Sequence, residues 1–340
     1  MIRIGLVGLG FMGQQHFSIY QNMEQVELVA VCDKDPERVR DSVPAIAGNI
    51  GDATELKLDG IDRYTDFAQM IEDAQLDCVD ICTPTPLHPD MTVDALQAGL
   101  HVICEKPMAL SVSECDRMIA AAEASSRMLF IAQCIRFWPE YEVLADMLAN
   151  GRLGRVVSAR FTRHSPTPAW SSGSWLLDAE LSGGAVLDLH IHDVDFILSL
   201  FGKPQGVLSR GGNLISSGPA VDHVLTTYLY DGFACNAEGG WVFPTDFPFE
   251  RGFQVLGEKG FLELSPAKQP ELQFYPFDGE PHTPEFTPGT GYERELEYFV
   301  QCMASGQAPT RITPQAAREA VAIVMAERES IRTGQVVSLE

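Results

Sequence analysis

Residues 2–13 read IRIGLVGLGFMG, and this stretch decides the fold of the first part of the chain. The run Ile2–Val7 is apolar and contains β-branched side chains, which predicts a buried strand. A turn with three glycines follows it, and residues 12–23 have helical character. A strand, a glycine turn and a helix in this order predict the start of a parallel sheet with helices packed on it.

The same alternation continues through the first half of the chain. Further strands are predicted at 27–32, 61–64, 78–82, 102–104 and 128–132, and helices at 36–47, 67–72, 89–98 and 113–124. Strands that are apolar throughout are typical of a sheet covered on both faces. The sequence therefore predicts an α/β fold whose first domain, residues 1–132, contains a doubly wound parallel sheet.

The second half has a different pattern. Strands are predicted at 156–164, 206–212, 223–230, 233–241, 253–256 and 261–264, with a hairpin turn at 257–260. Helices are predicted at 184–200, 294–303 and 315–333. This order predicts a second α/β domain, residues 133–340, with a mostly antiparallel sheet and a C-terminal helix that is a candidate to return to the first domain.

Charge and cysteine content restrict the class of protein. The 340 residues carry 24 Lys and Arg against 47 Asp and Glu, a net charge of −23. Nucleic acid and anionic membranes repel such a surface, so neither is expected as a partner. No apolar run reaches the roughly 20 residues that span a bilayer. The eight cysteines include no Cys-x-x-Cys pair, which favours reduced core thiols and a cytoplasmic location.

The glycine turn is a candidate dinucleotide site. It consists of Gly8, Leu9, Gly10, Phe11, Met12 and Gly13. Its glycines allow a tight turn and close approach of a pyrophosphate, which the N–H groups of the next helix then bind. Asp33 follows the second strand, 20 residues after Gly13, where a carboxylate binds ribose hydroxyls and repels a 2′-phosphate. We therefore predict NAD as cofactor, while Lys34 leaves NADP open.

Two later strand ends carry polar residues at the same edge of the predicted sheet. Thr83 and Pro84 begin a proline-rich loop that ends at His88, and Glu105 and Lys106 precede a proline. Ligands of doubly wound folds bind beyond the carboxyl ends of the strands, so these residues are candidates for cofactor contact. A simple turn with a surface histidine and a solvated lysine are the alternatives.

A fourth motif, residues 182–195, reads SGGAVLDLHIHDVD. If Gly184 begins a helix, Asp188 and His192 share one face, Asp195 continues it, and His190 and Asp193 point elsewhere. A carboxylate beside an imidazole suits a general acid or base. The alternatives are capping and surface roles, or a metal site. Histidines two apart on a helix diverge, so no metal is predicted.

Together these motifs resemble the Gfo/Idh/MocA oxidoreductases, a family that includes inositol dehydrogenase and glucose–fructose oxidoreductase. The resemblance covers nearly the whole chain, including residues 136–139 (RFWP) and 330–337 (SIRTGQVV). It implies a Rossmann domain, a C-terminal domain with a large open sheet, and homodimers or homotetramers formed through that sheet. It also implies hydride transfer between NAD(P) and a sugar, inositol or polyol carbon. Thr85 and Cys134 depart from the family pattern, which often has asparagine at both positions.

The resemblance also assigns roles to particular residues. Lys106 matches the family's catalytic lysine, and Asp188 and His192 match its aspartate and histidine pair. Apart from the resemblance, aromatic faces and charged donors suit sugars, so further residues are candidates for substrate contact, with plain packing or surface exposure as the alternative: Arg163, His164, Trp170, Trp175 and Tyr292. Two other functions remain open, namely NAD-assisted non-redox cleavage of a glycosidic bond and a non-catalytic dinucleotide-binding sensor.

Overall fold

The computed structural model describes residues 1–46, 48, 55–168 and 172–339. Contacts divide the chain into two compact units. The first unit contains Met1–Gln133 and Tyr292–Arg318, and the second contains Cys134–Gly291 and Glu319–Glu340.

The first unit contains a six-stranded parallel sheet. Its strands and those of a short ribbon are, in chain order, β1 (Ile2–Val7), β2 (Val26–Cys32), β3 (Ser42–Val43), β4 (Leu56–Lys57), β5 (Asp62–Tyr64), β6 (Cys78–Ile81), β7 (His101–Glu105) and β8 (Leu129–Ala132). The sheet has the order β5-β2-β1-β6-β7-β8, and every pair in it is parallel. The predicted doubly wound sheet is confirmed. The order reverses between β1 and β6, and such a switch point is where doubly wound folds bind ligands.

Helices connect these strands, and capping side chains mark the starts of two of them. They are α1 (Phe11–Tyr20), α2 (Phe67–Asp73), α3 (His88–Gln97) and α4 (Val112–Ser125). Asp66 accepts the N–H of Gln69, and Ser111 accepts the N–H of Glu114, so α2 and α4 begin at ordinary capping residues. In the same unit Phe299 stacks on Phe130 of β8, with ring centroids 4.7 Å apart.

The helix predicted for residues 36–47 is wrong. The structure has a single 3₁₀ turn, Pro36–Val39, and then the two-residue strand β3, which pairs with β4. Asp35 caps the turn by accepting the N–H of Glu37. Pro44 follows β3, and a proline in a helix interior would remove a hydrogen bond and clash with the preceding turn.

The second unit contains an eight-stranded sheet. Its strands are β9 (Val156–Pro166), β10 (Gly206–Gly212), β11 (His223–Tyr230), β12 (Phe233–Phe243), β13 (Glu250–Gly257), β14 (Gly260–Leu264), β15 (Leu272–Pro276) and β16 (Val337–Ser338). The order is β15-β14-β13-β9-β12-β11-β10-β16. The β9–β12 pair is parallel and the others are antiparallel, which confirms the predicted mostly antiparallel sheet. Gly257 pairs with Gly260, so the predicted hairpin is also confirmed.

The remaining helices are α5 (Pro139–Ala149), α6 (Ala179–Ser182), α7 (Ala185–Asp188), α8 (Ile191–Phe201), α9 (Gly291–Ser305) and α10 (Pro314–Thr333). Side chains of β9 alternate between buried and partly exposed positions. Ala159, Phe161 and Arg163 are buried, whereas Ser158, Arg160 and Thr162 are not. One face of the strand therefore packs on the core, where Phe161 meets Phe196 of α8 with ring centroids 6.2 Å apart.

None of the helices in the described ranges is long and apolar enough to cross a membrane.

Candidate functional site

The glycine turn between β1 and α1 is packed too closely against the protein backbone for side chains at two of its positions. Gly8 has a φ of +87°, and a Cβ there would lie 2.5 Å from the carbonyl oxygen of Cys82. A Cβ on Gly13 would lie 1.8 Å from the carbonyl oxygen of Gly8. Both positions therefore require glycine, the first for the turn and the second for contact between helix and strand.

The start of α1 suits a phosphate group. Gly10 is the capping residue, and no side chain caps the helix. A Cβ on Gly10 would meet a single atom within 4 Å, the Nη1 of Arg38 at 3.9 Å. The first N–H groups of a helix and its dipole attract anions, and a side-chain cap would compete for those N–H groups. The predicted pyrophosphate site, Gly8 to Gly13 with Phe11 and Met12 in the first turn, therefore fits the group that the sequence implies.

Asp33 lies beside this turn, directly after β2. Its Oδ2 accepts the N–H of Leu9 at 2.8 Å, and its Oδ1 accepts the N–H of Asp35 at 2.9 Å. The two bonds fix the carboxylate against the fingerprint loop. Each carboxylate oxygen has a second lone pair, so both can still accept ribose hydroxyl groups.

Arg38 also lies beside this turn, and the sequence reasoning missed it. Its Nη1 donates to the carbonyl oxygen of Leu9 at 3.0 Å, and its side chain is 20% exposed. An arginine near the acidic residue is the usual partner of the 2′-phosphate of NADP. The available signal is an arginine five residues after Asp33, within the segment 36–47 for which a helix is predicted.

Asp33→Ala is expected to lower affinity for NADH by about 10- to 100-fold, the range that follows from losing hydrogen bonds to a charged acceptor. The same change is expected to raise affinity for NADPH, because the repulsion of its 2′-phosphate disappears while Arg38 remains. Fluorescence titration with both reduced cofactors measures the two dissociation constants. An Asp33→Ala/Arg38→Ala double variant should lose the gain for NADPH. An unchanged NADH to NADPH ratio in the single variant would refute the role of Asp33.

The loop after β6 lies against the glycine turn. The methyl group of Thr83 would lie 3.2 Å from a Cβ built on Gly8, so Thr83 borders the fingerprint, and Pro84 follows it in the same loop. His88, in contrast, is 1% exposed. Its two ring nitrogens lie 2.8 Å from the carbonyl oxygen of Thr83 and 3.0 Å from that of Pro107. His88 therefore contacts the two loops that contain Thr83 and Pro107, and both of its ring nitrogens are occupied there rather than available to a cofactor. The alternative of a histidine at the protein surface is wrong.

His88 is held as a neutral ring. Burial lowers its pKa, although the two carbonyl oxygens oppose that shift. A neutral imidazole donates one hydrogen bond, so at any moment it bonds to one of the two carbonyl groups.

The Glu105-Lys106-Pro107 segment follows β7 at the same edge of the parallel sheet. Glu105 is 6% exposed, and its Oε2 accepts the backbone N–H of Lys106 at 3.0 Å. Lys106 is partly exposed, and the peptide bond to Pro107 is cis. The backbone around Lys106 therefore has contacts on both sides. The Glu105 carboxylate accepts the N–H of Lys106, and His88 contacts the carbonyl group of the next residue, Pro107.

In the second unit, the helix predicted for 184–200 is interrupted. The N–H of His190 donates to the carbonyl oxygen of Ala185, five residues back, and the N–H of His192 to that of Leu189, three residues back. The chain therefore forms α7 and α8 with a break between them. The expected spacing of Asp188 and His192 on one regular helix face is wrong, because the two residues belong to different helices.

Burial divides the polar residues of this motif into two groups. Asp188 and His192 are partly exposed, whereas His190, Asp193 and Asp195 are fully buried. The surface interpretation is therefore wrong for the buried three. Asp195 does not continue an accessible stripe, because Arg136 binds it through Nε and Nη2, each at 2.7 Å.

The other buried pairs surround the same helix. Arg163 donates to both oxygens of Asp193 at 2.8 and 3.0 Å. The Nε2 of His190 lies 3.4 Å from Glu327, which also accepts the hydroxyl of Tyr228 at 2.8 Å. Buried charges must be paired, so these contacts explain the polar residues around Asp188 and His192 without a ligand.

The predicted substrate residues differ in burial and in the groups that they contact. Arg163 is 2% exposed and its guanidinium binds Asp193, so it is withdrawn as a substrate contact. His164 is partly exposed, stacks on Phe243 at 4.4 Å and lies 3.1 Å from Glu250. Trp175 packs beside a small core cluster, and Tyr292 in the first unit is partly exposed. Trp170 lies outside the described residues.

Comparisons with known proteins agree with this geometry. Residues 2–133 match the oxidoreductase family with an NAD-binding Rossmann fold, and residues 141–263 match the GFO/IDH/MocA C-terminal domain. Myo-inositol 2-dehydrogenase of Thermotoga maritima is 26% identical over 100% of this chain and 99% of its own length. D-xylose 1-dehydrogenase (NADP(+)) 2 of Haloferax volcanii is 28% identical over 99% of each chain.

A solved structure has the same fold. The WlbA dehydrogenase of Bordetella pertussis, in complex with NADH and UDP-GlcNAcA, superposes with a TM-score of 0.83. It is 21% identical and covers 100% of this chain and 98% of its own. The glycine turn, the carboxylate beside it and these matches lead to one conclusion: the chain is an NAD-binding oxidoreductase and belongs to the Gfo/Idh/MocA family.

Proposed function

We propose that this protein is an NAD(P)-dependent dehydrogenase of a sugar, an inositol or a related polyol, acting on a secondary alcohol or its ketone. The family and the curated relatives support a dehydrogenase of this general kind. The position of Asp33 favours NAD, and Arg38 keeps NADP available.

The burial pattern of residues 183–195 carries the proposal. Three of the five acidic or imidazole side chains there are fully buried in structural pairs, whereas Asp188 and His192 remain accessible. A motif built for packing would have no need to leave one carboxylate and one imidazole partly exposed. Those two groups can exchange protons with a bound molecule, and the others cannot.

Each proposed catalytic residue has a distinct role. Bound NAD supplies the hydride acceptor at its nicotinamide ring. His192 accepts the hydroxyl proton of the alcohol, since imidazole is the side chain that most often serves as a general base in enzymes. Asp188 orients that imidazole. Lys106 donates a hydrogen bond to the alcohol oxygen and stabilises its developing negative charge.

A panel assay tests the proposal. Purified protein is incubated with inositols, aldoses, sugar acids and the corresponding ketones, with NAD and NADP in parallel, and nicotinamide absorbance is followed. We expect cofactor reduction or oxidation with at least one member. Demonstrated NADH binding together with no turnover on any alcohol or ketone would overturn the proposal. Cleavage of glycosides without net cofactor turnover would favour the NAD-assisted lyase or hydrolase function instead.

The second domain, predicted as residues 133–340, corresponds to the second unit, Cys134–Gly291 and Glu319–Glu340, while Tyr292–Arg318 belongs to the first unit. We further propose that the second unit forms the substrate-binding and oligomerisation domain of a cytoplasmic homodimer or homotetramer. The sheet of the second unit supports this role, because Arg160, Thr227 and Gln254 lie exposed on strands whose alternate residues are buried. The eight free cysteines, seven of them buried, suit a reducing compartment. Light scattering measures the oligomer, and a monomer at micromolar concentration would refute that part of the proposal.

A further inference from the structure

A buried histidine lies inside the nucleotide-binding unit, and none of the roles proposed above uses it. His16 belongs to α1, one turn beyond Gly13, and is 0% exposed. Its Nδ1 lies 2.8 Å from Oδ2 of Asp80, at the end of β6. Its Nε2 lies 3.3 Å from Oε1 of Glu105, at the end of β7, in an ion-pair contact whose geometry falls short of a hydrogen bond.

The ring is positioned to be a cation. Burial alone would lower its pKa, but Cys82 and Asp80 outweigh burial, and the pKa of His16 lies well above its usual value. Burial raises the pKa of the Cys82 thiol, which therefore stays neutral. We attribute the retained charge of His16 to the Asp80 carboxylate.

A metal ion is the alternative explanation for this cluster. His16, Asp80 and Cys82 offer ligand atoms within 4.8 Å of one another. The 2.8 Å separation of Nδ1 and Oδ2 is that of a hydrogen bond, and Asp80 also accepts the hydroxyl of Tyr20 at 2.7 Å. A proton shared between His16 and Asp80 explains these contacts, and an ion would have to break them.

The second contact of His16 leads toward Lys106. Glu105 faces the imidazole through Oε1, and through Oε2 it accepts the backbone N–H of Lys106 at 3.0 Å. One cation thus lies between two buried carboxylates, and one of those carboxylates holds the Lys106 backbone. A carboxylate buried beside a second carboxylate is unstable unless a cation separates them.

We propose that His16 is a positioning residue for Lys106, acting as an imidazolium that fixes the orientation of Glu105. The chain of contacts runs from Asp80 through His16 and Glu105 to the Lys106 backbone. This inference rests on the proposed function, because the position of Lys106 affects activity only if Lys106 takes part in the reaction. It also links the helix that begins at the pyrophosphate turn to the residue proposed to stabilise the alkoxide.

His16→Gln is the test, and Tyr20→Phe is its matched control. Each variant removes one contact to the same oxygen of Asp80 from a buried position on α1. The first readout is hydrogen exchange of the Lys106 backbone amide, measured by NMR on the protein without cofactor. We expect exchange to accelerate about tenfold in His16→Gln, as loss of one ordinary hydrogen bond would cause, and to be unchanged in Tyr20→Phe.

The second readout is steady-state kinetics on the substrate found in the panel. We expect His16→Gln to lower kcat by about 100-fold, the effect of misplacing a catalytic group, with KM for NAD within about threefold. Tyr20→Phe should lower the melting temperature without lowering kcat. Asp80→Asn removes the carboxylate that keeps His16 charged, so it should also accelerate exchange of the Lys106 amide and lower kcat. This variant replaces His16→Gln in the test if His16→Gln does not fold.

The outcomes separate this inference from the proposed function. Unchanged exchange of the Lys106 amide in both His16→Gln and Asp80→Asn would overturn the positioning role. Equal loss of kcat in His16→Gln and Tyr20→Phe would also overturn it, because the effect would then be general loss of packing. If the wild-type protein binds NADH but turns over no member of the panel, the proposed function fails, whatever the amide exchange shows. If Lys106→Met retains full activity, the catalytic role of Lys106 fails, and with it the positioning role of His16.

Discussion

The Lys106→Met variant is expected to lose about 10²- to 10³-fold in kcat, the cost of removing one donor to a developing oxyanion. Methionine has a similar length and apolar stem but cannot donate a hydrogen bond, so the change tests the ammonium group rather than the space it fills. NADH affinity, measured by fluorescence titration, should change by no more than about threefold, since the cofactor contacts proposed at Gly8–Gly13 and Asp33 remain.

The control for this variant is Lys57→Met. Lys57 is an exposed lysine of β4, on the ribbon apart from the parallel sheet, and its loss should leave kcat unchanged. A Lys106→Met enzyme with wild-type kcat and wild-type NADH affinity would show that Lys106 has no catalytic role. If the wild-type protein and both variants bind NADH equally well but none of the three turns over a substrate, the protein is a sensor.

The residues that could be predicted from the sequence are those whose signals are local. The fingerprint glycines follow β1 directly, and Asp33 follows β2 directly, so strand prediction alone placed them at one edge of a parallel sheet. The antiparallel sheet of the second half could also be predicted from local signals, because the hairpin at Gly257 and Gly260 connects neighbouring strands.

Errors arose where tertiary contacts override local preference. Residues 184–200 are apolar and helical in pattern, yet the backbone breaks between α7 and α8. At that break, buried His190 approaches Glu327 of α10, 137 residues later in the chain. No pattern within a window of ordinary helix length contains that partner, so a single regular helix was the best local prediction.

The buried ion pairs were missed for the same reason. Arg163 and Asp193 are 30 residues apart, and Arg136 and Asp195 are 59 apart. Arg163 is predicted to contact substrate because a charged donor suits sugar hydroxyl groups, whereas arginine is rarely buried unless it is paired. The clue that could have been used is its place in β9, where it shares the buried face with Ala159 and Phe161.

Arg163→Met is expected to lower the free energy of unfolding of the second unit by about 3–5 kcal/mol, the cost of leaving one partner of a buried ion pair uncompensated. Arg163 and Asp193 are 2% and 0% exposed at their side chains. Burial opposes the charge of Arg163, but Asp193 and Tyr141 outweigh it and raise the pKa of the guanidinium. The guanidinium is therefore held in its charged form beside Asp193, and removing the arginine leaves the buried Asp193 carboxyl group without its partner.

Urea unfolding followed by tryptophan fluorescence measures this effect in the correct part of the molecule. The tryptophans at 138, 175 and 241 belong to the second unit, and the sequence position of the fourth, 170, falls within its range, so the signal reports on that unit. Arg155→Met is the matched control. Arg155 contacts Glu258 through Nε at 3.1 Å and Nη2 at 2.9 Å, but the two side chains are 68% and 50% exposed. An exposed pair contributes at most about 1 kcal/mol, so this variant should unfold at nearly the wild-type urea concentration.

A double variant separates the charge from the packing. In Arg163→Met/Asp193→Leu both charges are gone and apolar side chains take their place, so most of the lost stability should return. The single variant and the double variant should differ by several kcal/mol although both lack the same ion pair. If instead the single and double variants unfold at the same urea concentration, the lost stability comes from the shape of the Arg163 side chain rather than from the unpaired carboxylate.

His192 lies next to Asp193 on α8, so the double variant also tests whether the ion pair takes part in the reaction. Activity that returns together with stability would show that the pair holds the helix and has no role in the reaction.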